Sequence, residues 1–246
     1  MINKTVTALF LIYFCITAAV LFIPAVIIWF VTLPFDRRRA ILHLYTCLWG
    51  SMYTSVVPTW RIKVTGKKNF QKGKAYIIAA NHQSQLDILV ACRLLKHFKW
   101  VSKEEILKIP FIGWTMRLNR YVTLKRGNME SVEQMMLDCE ERLKQGSPVF
   151  FFPEGTRSTT GKVKLFKPGA FMLAHRLKLP VLPVVISGTC EALPKYSISL
   201  NGTKNISMKV LPEIPYSSFA SQTITETAMM VRNIVKDELD RQTGAA

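Results

Sequence analysis

Between Lys4 and Asp36 the chain carries no charged residue, and the stretch from Phe10 to Val31 is almost wholly apolar. A helix of that length spans roughly 30 Å of hydrocarbon with residues to spare. Pro24, in its middle, predicts either a kink in one spanning helix or a bend between two shorter ones. Asp36-Arg37-Arg38-Arg39 closes the run. A second apolar and aromatic stretch, 40–57, then places Ile41, Leu44, Tyr45, Leu48 and Met52 at helical spacing. Residues 1–58 therefore read as a helical membrane anchor, either one spanning helix followed by an interfacial one or a two-helix hairpin sunk into one leaflet. A secretory signal would have a shorter apolar region of about 7–15 residues and a small-residue cleavage site. Here bulky Ile27, Ile28, Trp29 and Phe30 continue the run instead. Arg37, Arg38 and Arg39 should stay on the cytoplasmic side by the positive-inside bias, and residues 59–246 with them.

From Thr59 onward the pattern changes to short apolar runs alternating with helical periodicity. Strands are predicted at 61–65, 75–80, 100–102, 121–124, 148–152, 181–186 and 207–211. Helices are predicted at 87–97, 112–119, 129–144 and 169–177, with an amphipathic closing helix at 223–241. Such alternation predicts an α/β fold, a mixed sheet flanked by helices, preceded by the N-terminal anchor. No repeat or low-complexity linker divides 59–246, which reads as one domain.

Charge sharpens this picture. The net charge is +17 over 246 residues, and from Thr59 to Arg126 15 Lys and Arg stand against Asp87, Glu104 and Glu105. A surplus of this kind attracts nucleic acid, anionic headgroups or a phosphorylated substrate. The apolar anchor beside it favours lipid, and no nucleic-acid-binding motif is present. The five cysteines are scattered, odd in number and without zinc-ligand spacing, which predicts neither a disulfide framework nor a metal site.

Two stretches could carry chemistry. In the first, an apolar run delivers Asn81-His82-Gln83-Ser84-Gln85-Leu86-Asp87 to the start of a helix. Five positions on a continuous helix rotate by about 500°, so His82 and Asp87 meet only if Gln83 and Ser84 form a turn. Asp87 would then hold one imidazole nitrogen as a donor and leave the other free as a base. The same spacing also fits a plain helix cap, in which Asp87 only closes an N-terminus. In the second stretch, Phe152-Pro153-Glu154-Gly155-Thr156-Arg157-Ser158 puts Glu and Arg on a glycine-containing loop straight after an apolar strand. Lys162, Lys164 and Lys167 come after it, so the loop suits an anion or a solvated turn. His43, His97 and His175 lack a placed carboxylate and read as packing or surface residues.

Together these stretches resemble the glycerolipid acyltransferases, specifically the 1-acylglycerol-3-phosphate acyltransferase family, over about 59–219. Asn-His followed by four residues and Asp is matched by 81–87, and Phe-Pro-Glu-Gly-Thr-Arg-Ser at every position by 152–158. Tyr121-Val-Thr-Leu-Lys125-Arg126 is similar to a third motif that ends a strand with a basic residue. Lys125 stands where many relatives carry Asp. A proline-centred strand, Leu179-Pro180-Val-Leu-Pro183-Val-Val-Ile-Ser-Gly-Thr189, is similar to a fourth. The resemblance implies transfer of a fatty acyl group from acyl-ACP or acyl-CoA to a lysophospholipid hydroxyl, giving phosphatidic acid. His82 would be the base and Asp87 its orienting partner. Lys125, Arg126, Glu154, Gly155, Thr156 and Arg157 would seat the glycerol phosphate. It implies no cofactor and no metal, and a thioester co-substrate. The odd cysteine count and the compact single anchor suit a cell inner membrane, with 59–246 on its cytoplasmic face. Two alternatives remain: another lysolipid acceptor, such as lyso-ornithine lipid, or a non-enzymatic basic membrane-binding protein.

Overall fold

A computed structural model describes residues 4–196 and 203–244. Seven strands form one sheet: β1 (Trp60–Thr65), β2 (Ile77–Ala80), β3 (Lys99–Lys103), β4 (Val122–Leu124), β5 (Val149–Phe151), β6 (Val181–Ser187) and β7 (Lys204–Val210). Their order is β1-β7-β6-β2-β5-β3-β4. The block from β6 to β4 is parallel, whereas β7 runs antiparallel to β6 and carries β1 parallel to itself. The sheet is therefore mixed, as the alternation predicted.

The central strands are buried on both faces, which is why they read as continuous apolar runs. Ile77, Ala79, Val149, Phe151, Val181 and Val185 pack under α5 (Met129–Lys144), α6 (Gly169–Leu177) and α8 (Ile224–Thr243). Ile78, Ala80, Phe150, Leu182, Val184 and Ile186 face α3 (Leu86–Cys92). Pro183 sits at the end of the β6–β7 ladder: its carbonyl still accepts the Leu211 N–H at 3.0 Å, next to the last paired residues Val184↔Val210, and Val181 bridges separately to Ile214. Local signals fix two helix starts: Asn128 accepts the Ser131 N–H ahead of α5, and Thr223 and Glu226 form a full capping box on α8.

The helix expected at 87–97 is shorter. Arg93, Leu94 and Leu95 take i→i+3 bonds, and Leu95 turns left-handed at φ 51°, which frees 96–98 to enter β3. The last strand begins earlier than the apolar run implied, at Lys204, because pairing with β1 orders its polar first residues.

Pro24 does not divide the first helix: α1 (Lys4–Thr32) runs through it as 29 residues, about 43 Å long. It is the helix among the described residues that is long and apolar enough to cross a membrane, over Thr7–Thr32. A turn at 33–39 leads to α2 (Ala40–Ser55), which runs back along it. Thr17 Oγ1 lies 3.0 Å from Tyr53 Oη, and Tyr45 Oη donates to the Leu21 carbonyl at 2.8 Å. The other side of α2 packs on α3, so closely at Gly50 that a Cβ would meet Cys92 Sγ at 2.9 Å. Phe22 of α1 also touches Phe111 and Trp114, the latter in α4 (Ile112–Leu118). The outer face of α1, with Leu9, Ile12, Ile16, Val20, Ile23, Ile27 and Phe30, is left exposed.

Under the α1–α2 turn lies a buried polar cluster. His43 Nδ1 pairs with Tyr121 Oη at 2.7 Å, and His97 Nε2 with Ser147 Oγ at 2.9 Å. Burial, then the Lys99 ammonium, pushes His97 down to about 3. The unfolded chain protonates this imidazole near pH 6.5, so between pH 6.5 and 3 it binds a proton that the folded state refuses. Stability therefore falls with pH across that window, by up to about 4 kcal/mol at its lower end. His97→Gln is expected to flatten the decline of the thermal midpoint between pH 6.5 and 4 relative to wild type. Parallel declines would show that the proton goes elsewhere.

Candidate active site

Because β2, β5 and β6 are parallel neighbours, their C-terminal ends open on the same edge of the sheet. β2 delivers Asn81 and His82 there, β5 delivers the loop 152–158, and β6 delivers Gly188 and Thr189. Asn81 ties the edge together: Nδ2 donates to the Ile186 carbonyl at 2.7 Å and Oδ1 accepts the Ile186 N–H at 2.8 Å.

His82 Nδ1 lies 2.8 Å from Asp87 Oδ2. The same oxygen accepts the N–H groups of Gln83 at 2.6 Å and Ser84 at 2.9 Å, while Oδ1 accepts the Thr189 hydroxyl at 2.5 Å. Asp87 is fully buried, and the two N–H groups and the Thr189 hydroxyl all donate to it, which suits a carboxylate acceptor. The carboxylate thus fixes the proton on Nδ1 and leaves the Nε2 lone pair free; Nε2 has no hydrogen-bond partner among the described residues. Both readings of the spacing are realised in part. Ser84 Oγ accepts the Leu86 N–H at the helix start, and Asp87 folds back over 82–84 to orient the imidazole. The ring is stacked on Phe152, centroids 4.0 Å apart, and its side chain keeps 13% of its surface exposed.

Glu154 turns inward. Oε1 accepts the His82 N–H at 2.8 Å, Oε2 accepts the Lys164 N–H at 3.2 Å, and the Ser158 N–H returns to the His82 carbonyl at 2.7 Å. Burial raises its carboxyl above the usual range, against the pull of those two N–H groups. Glu154 is a clasp between the β2 and β5 loops, not a free anion. Glu154→Gln offers one acceptor where two N–H groups point, so a loss of about 1–3 kcal/mol is expected, read as a lower thermal midpoint. An unchanged midpoint would show the clasp to be dispensable.

With Glu154 turned inward, the loop presents cations. Gly155 has φ +69°, and a Cβ there would strike Lys167 Cε at 2.9 Å, so only glycine lets that ammonium lie across the turn. Lys195 Nζ and Lys164 Nζ both donate to the Arg157 carbonyl, at 3.1 and 3.2 Å, and Lys195 also reaches Thr156 Oγ1 at 3.4 Å. The half-buried Arg157 guanidinium has no hydrogen bond among the described residues. Lys125 and Arg126 are exposed at the end of β4, on the same edge but three strand spacings from β2, on the order of 14 Å away. They do not touch the other site residues; a substrate would have to bridge the gap. Lys195, which lies over 100 residues from His82, carries no sequence signal that points to the site, whereas Thr189 ends the fourth motif, which gave it no role. Among the described residues no group of three His, Cys, Asp or Glu side chains is arranged to hold a metal ion.

Residues 61–187 match the family model described as Acyltransferase. The chain belongs to the acyltransferase family. It is 35% identical over 201 residues to a chloroplastic 1-acyl-sn-glycerol-3-phosphate acyltransferase of Arabidopsis thaliana, covering 79% of this chain and 56% of that one. It is 36% identical to the 1-acyl-sn-glycerol-3-phosphate acyltransferase of Saccharomyces cerevisiae, covering 72% and 59%. The chain thus spans little more than half the length of these curated relatives. Its fold is similar to the crystal structure of the 1-acyl-sn-glycerophosphate acyltransferase of Thermotoga maritima, with a TM-score of 0.78 and 28% identity over 98% of this chain and 97% of that one. The His82–Asp87 pair and the 152–158 loop lie inside the matched segment, and Lys195 lies just beyond it.

Proposed function

We propose that the protein transfers a fatty acyl group from acyl-CoA or acyl-ACP to the sn-2 hydroxyl of 1-acylglycerol-3-phosphate, giving phosphatidic acid. The observation that carries this reading is the His82–Asp87 pair with Nε2 free, on a sheet edge shared with a cationic loop. His82 takes the hydroxyl proton as the oxygen attacks the thioester carbonyl, and Asp87 stabilises the imidazolium. A C–O bond forms, the C–S bond breaks, and the proton passes from His82 to the departing thiolate. Arg157 and Lys167, with Gly155 and Thr156 shaping the turn, hold the glycerol phosphate, and Arg126 approaches it from the β4 end. The relatives named for this acceptor support the choice of substrate.

The exposed apolar face of α1 supports membrane binding through residues 1–58, with 59–246 as the catalytic domain. α1 is held against α2 and α4, so an upright span would draw the domain into hydrocarbon. A hairpin lying in one leaflet of a cell inner membrane avoids this cost, with the basic turn and the domain on its cytoplasmic side. The test is acyl transfer by the detergent-solubilised protein, offering acyl-CoA and acyl-ACP with either lysophosphatidic acid or lyso-ornithine lipid. Phosphatidic acid formation supports the proposal. Turnover of the second acceptor alone would replace it, and binding of lipid without any turnover would favour the non-enzymatic alternative.

A further inference from the structure

A second cationic centre lies at the opposite edge of the sheet. Lys99 opens β3, and Asn119 and Arg120 precede β4, so all three sit at strand N-termini, whereas His82 follows a strand C-terminus. A five-residue strand, about 16 Å, separates the two edges. The α1–α2 turn covers this second edge. Arg39 is buried there, with Cζ 6.0 Å from the Trp29 ring and the Asp36 carbonyl 3.5 Å from Nη1. Lys99 is buried too, its Nζ donating to the Asn119 carbonyl at 2.5 Å. Arg38 donates to the Gly146 carbonyl at 3.2 Å.

The charges do not balance. The groups acting on Lys99 are Arg142, Arg120, Arg39 and a single carboxylate, Asp36, whose Oδ2 is already taken by the Ile41 N–H. Among the described residues Arg142 has an ion pair only with the exposed Glu141. Two guanidinium Nε atoms, of Arg39 and Arg142, are buried without a partner among the described residues. Burial and these neighbouring cations push Lys99 down to about 7, the behaviour of a positive centre that lacks its counter-ion. An oxyanion with several acceptors would satisfy orphan guanidinium donors in the geometry that Arg prefers. Exposed Arg38 and Arg120 line its approach, and exposed Leu33 and Phe35 on the same turn set it beside an apolar phase.

We propose that Arg39, Arg120, Arg142 and Lys99 form a binding site for the phosphate of an anionic membrane phospholipid, separate from the acyl-transfer site. The bound headgroup neutralises the buried cations and holds the α1–α2 turn at the bilayer surface. The experiment uses the full chain in uncharged detergent, with its thermal midpoint titrated against dioctanoyl phosphatidylglycerol, dioctanoyl phosphatidylcholine and inorganic phosphate. Phosphatidylglycerol should raise the midpoint saturably. Arg120→Gln, at an exposed position whose loss leaves the core intact, should raise the half-saturating concentration by about tenfold. Arg157→Gln should keep the wild-type response, which separates this site from the acceptor's phosphate site. Arg39→Gln should weaken binding further where it folds. An identical response in Arg120→Gln, an equal response to phosphatidylcholine, or no response at all would overturn the proposal. An Arg120-dependent response to inorganic phosphate equal to that of phosphatidylglycerol would make this a free-phosphate site and overturn the lipid assignment.

Discussion

His82→Ala is expected to lower the rate of acyl transfer by about 10²-fold or more, the contribution of a positioned general base. Its fold should survive. The contacts that tie this segment to its neighbours are made by the His82 backbone, through the Glu154 carboxylate and the Ser158 N–H, and they do not need the imidazole. Asp87 would lose one donor and keep three: the N–H groups of Gln83 and Ser84 and the Thr189 hydroxyl. The stability cost is the unstacking from Phe152 plus one hydrogen bond, within about 2 kcal/mol. The measurement is the saturated rate of wild type and variant in the same detergent, with thermal midpoints alongside. Equal rates would remove His82 as the base. A collapsed midpoint would mean that the ring holds the site together and that its loss reports on folding.

The elements on which this chemistry rests were legible where one stretch of chain carries them. Ile77 to Ala80 reads as a buried strand because both of its faces are apolar, and it is buried on both. His82 and Asp87 share one turn, and the Pro153–Glu154–Gly155 loop comes directly after β5, so motif and geometry coincide. Lys195 and the bond from Thr189 to Asp87 were not legible, because they depend on the placement of β6 beside β2, which no local pattern encodes. The inward turn of Glu154 was hidden for the same reason: its partners are backbone N–H groups 72 and 10 residues away. The burial of Lys99 and Arg39 was not legible either, because only the folding of the α1–α2 turn over β3 removes them from solvent. The reversal of β7, which makes the sheet mixed at a defined place, likewise arises from pairing with β1 and β6.

Asp87→Asn separates charge from shape. Asp87 Oδ2 accepts three donors and Oδ1 accepts one, so an asparagine can place its carbonyl oxygen where Oδ2 stood. The turn at 82–84 then keeps its acceptor, and the new amide meets the Thr189 hydroxyl, which can rotate to accept instead of donate. The loss of stability should therefore be small, about 1–2 kcal/mol for charge-assisted bonds made neutral. The rate should fall far more, by about 10²–10⁴-fold, because an imidazolium formed during attack no longer faces a carboxylate and the Nδ1 proton is held less firmly. Thr189→Val removes the hydroxyl and leaves the carboxylate, so it should cost stability with much less effect on rate. Comparing the two by thermal midpoint and saturated rate decides what Asp87 does. A fall in rate without a matching fall in midpoint for Asp87→Asn assigns it to stabilising the protonated base. Equal proportional losses in both variants would reduce Asp87 to the cap that its sequence spacing also allowed, and the charge of the dyad would then carry no part of the reaction.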